Sequence, residues 1–461
     1  MKSTAKRACA LYILVGLFFV GAVTLFIMLC VNSSKWAMQR TNEHIYTNGT
    51  LVTAGAVLDR NSKVLVETKN GERIYNQSSA IRKATLHILG DTSGFISTGV
   101  QNVYSDELVG YSFLNGVYLL EKYQGGNNVK LTIDADVCAT ALNVLGSNKG
   151  AVCAYNYKTG EIICMVSAPT YDPQSVPKDI MTNTEKYEGV YLNRVFSGVF
   201  TPGSTFKIVT AISAIENISN INQQKFNCNG KTTIGDGTVI CNGTHGELSF
   251  KDALAHSCNC AFSEIAVQLG NEKLQTTANQ LGFNKALKMN KTVVAKSTFN
   301  VSSASTLDLG WAGIGQYTTL VNPYHMMTIL GAIANGGTYV KPYLVDGIET
   351  QLGIDIPTIK TKDGDNYMSE NTANTIKDML RYNVTSYYGD SKFPNLQMCG
   401  KTGTAELDNE KSHAWFVGFS ENENCPYAIV VCVQNGGSGY DVAIPVANKV
   451  MQSIYKSVSK E

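Results

Sequence analysis

A serine and a lysine three positions apart, Ser204 and Lys207, follow the turn Pro202-Gly203 and open an apolar run, 204–217, with helical spacing. Residues three apart on a helix share a face, so this hydroxyl and this amine can meet. A serine is a poor nucleophile until a neighbour removes its proton, and a lysine can do that only while neutral. Burial or a second cation must therefore lower its pKa. Two downstream groups fit the same chemistry. Ser257-Cys-Asn259 precedes a helical run, 261–269, from which a short loop can aim both polar side chains into a cleft, and Lys401-Thr-Gly-Thr404 ends a strand. In this set Ser204 is the expected nucleophile, Lys207 its base and Lys401 the second cation. Ser257 can pass a proton between the lysines and a leaving amine, and Asn259 offers an amide to a substrate backbone. Thr402 and Thr404 suit a terminal carboxylate, while Gly403 lets a ligand backbone approach the edge strand closely.

Ser-x-x-Lys alone carries no weight, because it starts at Ser3, Ser175, Ser204, Ser453 and Ser457. Lys-Thr-Gly occurs at Lys158 as well as Lys401, and Ser-x-Asn at Ser257, Ser369 and Ser420. Context separates the copies. Only Ser204 follows a Pro-Gly turn and opens a long apolar helix; Lys158 lies in a plain hairpin turn, and Ser369 and Ser420 lie in polar turns.

These residues need a scaffold, and 461 residues are enough for more than one domain and a full core. With 38 basic and 37 acidic residues, nothing points to nucleic acid as a partner. Positions 8–31 carry no charge and, at ~1.5 Å per residue, span a hydrocarbon layer of ~30 Å. Lys2, Lys6 and Arg7 precede them, which keeps that end cytoplasmic and places the remainder outside. The run is longer than a signal-peptide core and ends without a small-residue cleavage site, so it reads as an uncleaved anchor. Of the 12 cysteines, Cys228 and Cys241 flank a Gly-rich turn and can be hairpin partners, while Cys258 and Cys260 alternate onto different sides of the chain. Free buried thiols are the competing expectation. Without a C-x-x-C pair or a histidine cluster, no metal site and no cofactor are expected.

The expected organisation is a cytoplasmic end with a transmembrane anchor over 1–37, a small non-catalytic module over 38–128, and a catalytic domain over 129–461. In the module, 54–60 and 64–67 read as a hairpin turning at Asn61-Ser62, with helices at 79–89 and 113–123 and a flexible joint at 125–128. In the catalytic domain a helix reaches Leu145, strands at 150–155 and 161–166 enclose the turn at Lys158, and strands recur at 398–404, 412–419 and 428–434. A last helix covers 442–458. The largely helical stretch 204–335 lies between the strand groups, so the fold class expected is α/β (α+β), a central antiparallel sheet with a helical subdomain.

The ordered set Ser204-Lys207, Ser257-Asn259, Lys401-Thr404 resembles the transpeptidase domain of penicillin-binding proteins. Further matches run from Leu131 to the end: Leu131-Thr-Ile-Asp134, Ala168-Pro-Thr-Tyr-Asp-Pro173, Asn193-Arg194, Gly313-Ile-Gly-Gln316, Ala334-Asn-Gly-Gly337 and His413-Ala-Trp-Phe-Val-Gly-Phe419. Gly55-Ala-Val-Leu-Asp-Arg-Asn61 and Tyr104-Ser-Asp-Glu-Leu-Val-Gly110 resemble landmarks of the class B, monofunctional branch. Ala54 and Ser62 stand where that branch usually has Arg and Gly. The short module is similar to the penicillin-binding protein A type. The resemblance implies a peptidoglycan D,D-transpeptidase that acts on stem peptides ending in D-Ala-D-Ala, carried on lipid-linked precursor strands, and is acylated by β-lactams. It also implies an oxyanion hole from the N–H groups of Ser204 and Thr404, and a membrane glycosyltransferase as partner. A D,D-carboxypeptidase uses the same site, and a non-catalytic β-lactam-binding scaffold or sensor is the reading from another class.

Overall fold

The computed structural model describes residues 2–43, 45–47, 50–51, 53–113, 116, 126–350, 353–357 and 363–459. Helix α1 (Lys2–Ala37) is, among the described residues, the one helix long and apolar enough to cross a membrane, and none of its apolar window is buried.

The expected hairpin is present as Val57–Leu58 against Val64–Lys69, with Ser62 at the turn in the left-handed region (φ 60°). Its continuation differs from a free-standing module. Asn128–Leu131 pairs in parallel with Val57–Leu58 and antiparallel with Val345–Glu349, so one six-stranded sheet takes strands from both sides of residue 128. The strand begins at Asn128, the last residue of the stretch read as a flexible joint, while positions 126 and 127 are in neither helix nor strand. The helix expected over 79–89 forms as Ser79–Leu89, while the one expected over 113–123 lies largely outside the described residues.

The catalytic frame is a five-stranded antiparallel sheet built from β1 (Gly150–Asn156), β2 (Ile162–Ala168), β3 (Met398–Leu407), β4 (Glu410–Ser420) and β5 (Tyr427–Val433). The order is β3-β4-β5-β1-β2, which leaves β3 at an edge. Every residue of β1, β2 and β5 is buried, so both faces of these strands are covered. That is why they read as continuous apolar runs rather than alternating ones. Helices α2 (Ala135–Leu145), α3 (Lys207–Asn217), α4 (Asn259–Gln280), α5 (Glu370–Asn383) and α6 (Ile444–Val458) complete the frame. Helices α2 and α6 pack on each other and reach the sheet at β2 and β5, and α5 lies on β3. The stretch 204–335 is less helical than expected. Three two-stranded ribbons interrupt it; Lys231–Ile234 turns back as Gly237–Ile240 at Gly235 (φ 60°), and Leu287–Met289 turns back as Thr292–Val294 at Asn290 (φ 49°), left-handed positions that end the helical spacing.

The N-terminus of α2 shows how local chemistry locks this frame. Asp134 accepts from the N–H groups of Asp136 and Val137, satisfying donors left free by the first turn, and also accepts from the Ser457 hydroxyl of α6 at 2.6 Å. Asp134→Ala is expected to cost about 1–2 kcal/mol, read as a lower midpoint in denaturant unfolding.

Candidate active site

Ser204 lies in a single 3-10 turn, Gly203–Thr205, and Lys207 is the first residue of α3. The expected meeting takes place: the Lys207 Nζ is 3.1 Å from the Ser204 Oγ. The Lys207 side chain is fully buried and faces three more acceptors, the Ser257 carbonyl at 2.5 Å, the Asn259 Oδ1 at 2.7 Å and the Ser257 Oγ at 3.2 Å. The carbonyl and the amide oxygen can only accept, so they take two N–H bonds. A neutral amine then has one lone pair left, and the Ser204 hydroxyl is placed to donate to it.

Lys401, on β3, is equally buried and donates to the Ser257 Oγ at 2.9 Å and to the Thr402 carbonyl at 3.1 Å. One serine hydroxyl thus joins the two lysines. Burial lowers the Lys207 pKa to about 7, with the Lys401 charge adding in the same direction, and burial lowers Lys401 to about 7 as well. The sequence pointed to Lys401 as the cation acting on Lys207, but desolvation is the larger cause, which spacing alone does not reveal. Ser257 holds this position with φ 56°, a left-handed conformation that a non-glycine residue adopts at a cost.

The two glycines that matter here make room for the nucleophile's own loop. A Cβ on Gly403 would lie 2.8 Å from the Pro202 carbonyl oxygen, and one on Gly315 would lie 2.1 Å from that of Gly203. The Gly315 carbonyl in turn accepts from the Gly203 N–H at 3.0 Å. The bareness of Gly403 therefore serves packing within the chain, in addition to leaving the β3 edge open. Thr201 is held from β4, where the Trp415 indole donates to its carbonyl at 3.0 Å.

Ser204, Ser257, Asn259, Thr402 and Thr404 all line one cleft of about 550 Å³. Asn259 is more committed than expected, since its Oδ1 accepts from Lys207 and its Nδ2 donates to the Ile240 carbonyl at 3.0 Å, leaving one N–H for a ligand. The Thr404 Oγ1 accepts from the Gly439 N–H at 3.3 Å. Several residues escaped the sequence reading. The Tyr388 hydroxyl accepts from both the N–H and the Oγ1 of Thr402 at 3.2 Å, and Trp311, Glu406, Ser438 and Tyr440 line the cleft. No local pattern marks them; Ile314 and Gln316, which also line the cleft, carried a signal through Gly313-Ile-Gly-Gln316. The other motif copies have structural roles: Ser369 caps α5, the Ser420 hydroxyl donates to the Leu396 carbonyl, and the Asn156 Oδ1 accepts from the N–H groups of Lys158 and Thr159.

The cysteines next to the site depart from expectation. Cys258 caps α4 and Cys260 lies in its first turn, so both sulfurs enter one cluster instead of facing different sides. Cys228 and Cys241 flank the ribbon as read, but both are free thiols, 3.7 Å from the Cys260 Sγ and 3.9 Å from the Cys258 Sγ respectively.

A serine facing a buried lysine of lowered pKa, beside the open edge of a sheet, defines a serine acyl-transfer site. Comparison narrows the class. The chain belongs to the penicillin-binding protein transpeptidase family, whose domain model matches residues 150–452. It is 29% identical over 407 residues to the peptidoglycan D,D-transpeptidase PbpA of Mycolicibacterium smegmatis, covering 79% of this chain and 81% of that protein. Among solved structures it is similar to the D,D-transpeptidase domain of a peptidoglycan glycosyltransferase from Eggerthella lenta, with TM-score 0.76 and 25% identity over 89% of this chain and 99% of that one. It also shares the fold of penicillin-binding protein A from M. tuberculosis in its imipenem acyl-enzyme complex, with TM-score 0.78 and 23% identity over 89% of this chain and 98% of that one.

Proposed function

We propose that the chain is a peptidoglycan D,D-transpeptidase that works through a Ser204 acyl-enzyme, takes stem peptides ending in D-Ala-D-Ala as donors, and is trapped by β-lactams. The Lys207 geometry carries this reading: two obligate acceptors hold its N–H groups, and the lone pair is left for Ser204. The Ser204 Oγ attacks the penultimate carbonyl as its proton passes to Lys207. The C–N bond then breaks, and Ser257, which contacts both lysines, relays a proton to the leaving D-Ala amine. An amine from a neighbouring strand attacks the ester, returns its proton by the same route and completes the cross-link.

The edge of β3 suits an extended peptide, which can add to the sheet as a further strand. The N–H groups of Ser204 and Thr404 serve the oxyanion, a device whose loss costs about 10²–10³ in rate in other enzymes. Thr402 and Thr404 receive the terminal carboxylate. The apolar helix α1 fits a single-pass membrane anchor, and Lys2, Lys6 and Arg7 in its first turns favour a cytoplasmic N-terminal end with the catalytic domain outside. A membrane glycosyltransferase would meet the chain at the anchor and the N-terminal module.

Incubation of the full chain with a D-Ala-D-Ala stem peptide and a competing amine tests the reaction. Release of D-Ala with formation of the amide product is expected. Release with only hydrolysed product would make the enzyme a D,D-carboxypeptidase, and no release would leave a β-lactam-binding scaffold.

A further inference from the structure

Directly behind the catalytic loop, Cys228, Cys241, Cys258 and Cys260 are all buried, and their four sulfurs lie within 4.8 Å of one another. Two of the separations are 3.7 Å (Cys228 to Cys260) and 3.9 Å (Cys241 to Cys258). Those distances are far beyond a disulfide bond of about 2.0 Å. They match the edge of a tetrahedron of sulfurs around zinc, about 3.8 Å for Zn–S bonds of about 2.3 Å.

The surroundings favour thiolates. The Asn259 N–H donates to the Cys241 Sγ at 3.2 Å and the Ala261 N–H to the Cys258 Sγ at 3.5 Å. Cys258 caps α4 and Cys260 lies in its first turn, where unpaired N–H groups and the helix dipole stabilise negative charge. Two of the four sulfurs thus accept from backbone N–H groups, which packing for bulk alone does not require. The spacing, Cys-x12-Cys followed by Cys-x-Cys, lacks the C-x-x-C pattern, which is why the sequence showed no metal set.

We propose that these four cysteines form a structural zinc site that positions the Ser257–Asn259 loop. Binding one divalent cation displaces the thiol protons to solvent, and four protein ligands leave no open coordination position, so the metal takes no part in bond making. Its effect is geometric. Ser257 precedes one ligand, Asn259 lies between two, and Cys241 follows Ile240, whose carbonyl holds the Asn259 amide. A cation at this point fixes the two side chains that surround the Lys207 amine, making all four cysteines positioning residues.

The test uses the full chain purified in detergent without added metal, with zinc and cobalt(II) as probes. Metal analysis is expected to find one zinc per chain, in Ser204→Ala as well as in the unaltered protein. Cobalt replacement should give the thiolate charge-transfer and tetrahedral bands of a four-sulfur site. Cys228→Ser and Cys260→Ser should each lose the metal, and zinc should raise the Tm of chelator-stripped protein. The acylation arm rests on the proposed reaction: stripped protein should react with penicillin roughly 10–100-fold more slowly and recover with zinc. Metal content is read without activity, so failure of the reaction leaves the zinc result standing. Purified protein without zinc, no cobalt bands and no zinc-dependent rise in Tm would overturn the site. Stoichiometric zinc with unchanged acylation on stripping would overturn the positioning role.

Discussion

Ser204→Ala is expected to abolish covalent labelling by a fluorescent penicillin while leaving unfolding stability within about 0.5 kcal/mol of the unaltered chain. Both halves follow from the geometry. The Ser204 side chain is partly exposed, and its hydroxyl meets Lys207, which retains the Ser257 carbonyl and the Asn259 amide as acceptors. Little of the packing depends on that hydroxyl, whereas no neighbouring group can replace it as the atom that bonds to the lactam carbonyl. Labelling that survives the substitution would move the nucleophile elsewhere.

Lys207→Met is expected to slow acylation by about 10²–10⁴-fold, the usual range for a positioned general base. Methionine keeps an unbranched apolar stem in a fully buried slot, so the loss reports the amine rather than a cavity. The substitution also leaves the half-buried Ser257 carbonyl and Asn259 Oδ1 without their donor, at a cost below the ~1–3 kcal/mol of a fully buried unpaired acceptor because both residues line the open cleft. A lower Tm should therefore accompany the slower rate. Comparing penicillin acylation rates of folded protein at low temperature separates the two effects, and an unchanged rate would mean that Lys207 is not the base.

Much of this arrangement was legible because it is local. A Pro-Gly turn before an apolar helix placed Ser204 against Lys207, and apolar runs bounded by turns located β1 to β5. What escaped depends on long-range contact. The six-stranded sheet joins Val57–Leu58 to Val345–Glu349 through Asn128–Leu131, and no local pattern reveals such pairing. Tyr388 reaches Thr402 from a stretch without a motif. The thiol cluster assembles from two ribbons and a helix terminus, so the alternation of Cys258 and Cys260 along an extended chain misled where a helix begins at Asn259. The dominant cause of the Lys207 shift was likewise hidden, since burial belongs to the folded molecule.

The central claim is that a buried lysine, kept neutral by the fold, deprotonates Ser204. The pH dependence of the penicillin acylation rate for the unaltered protein tests it most directly. Because Lys207 acts as its unprotonated form and its pKa is lowered to about 7, the rate should rise with pH, reach half its maximum near 7 and level off above. A rate that is flat across neutral pH, or that climbs only toward the ordinary lysine value of about 10.4, would contradict the account.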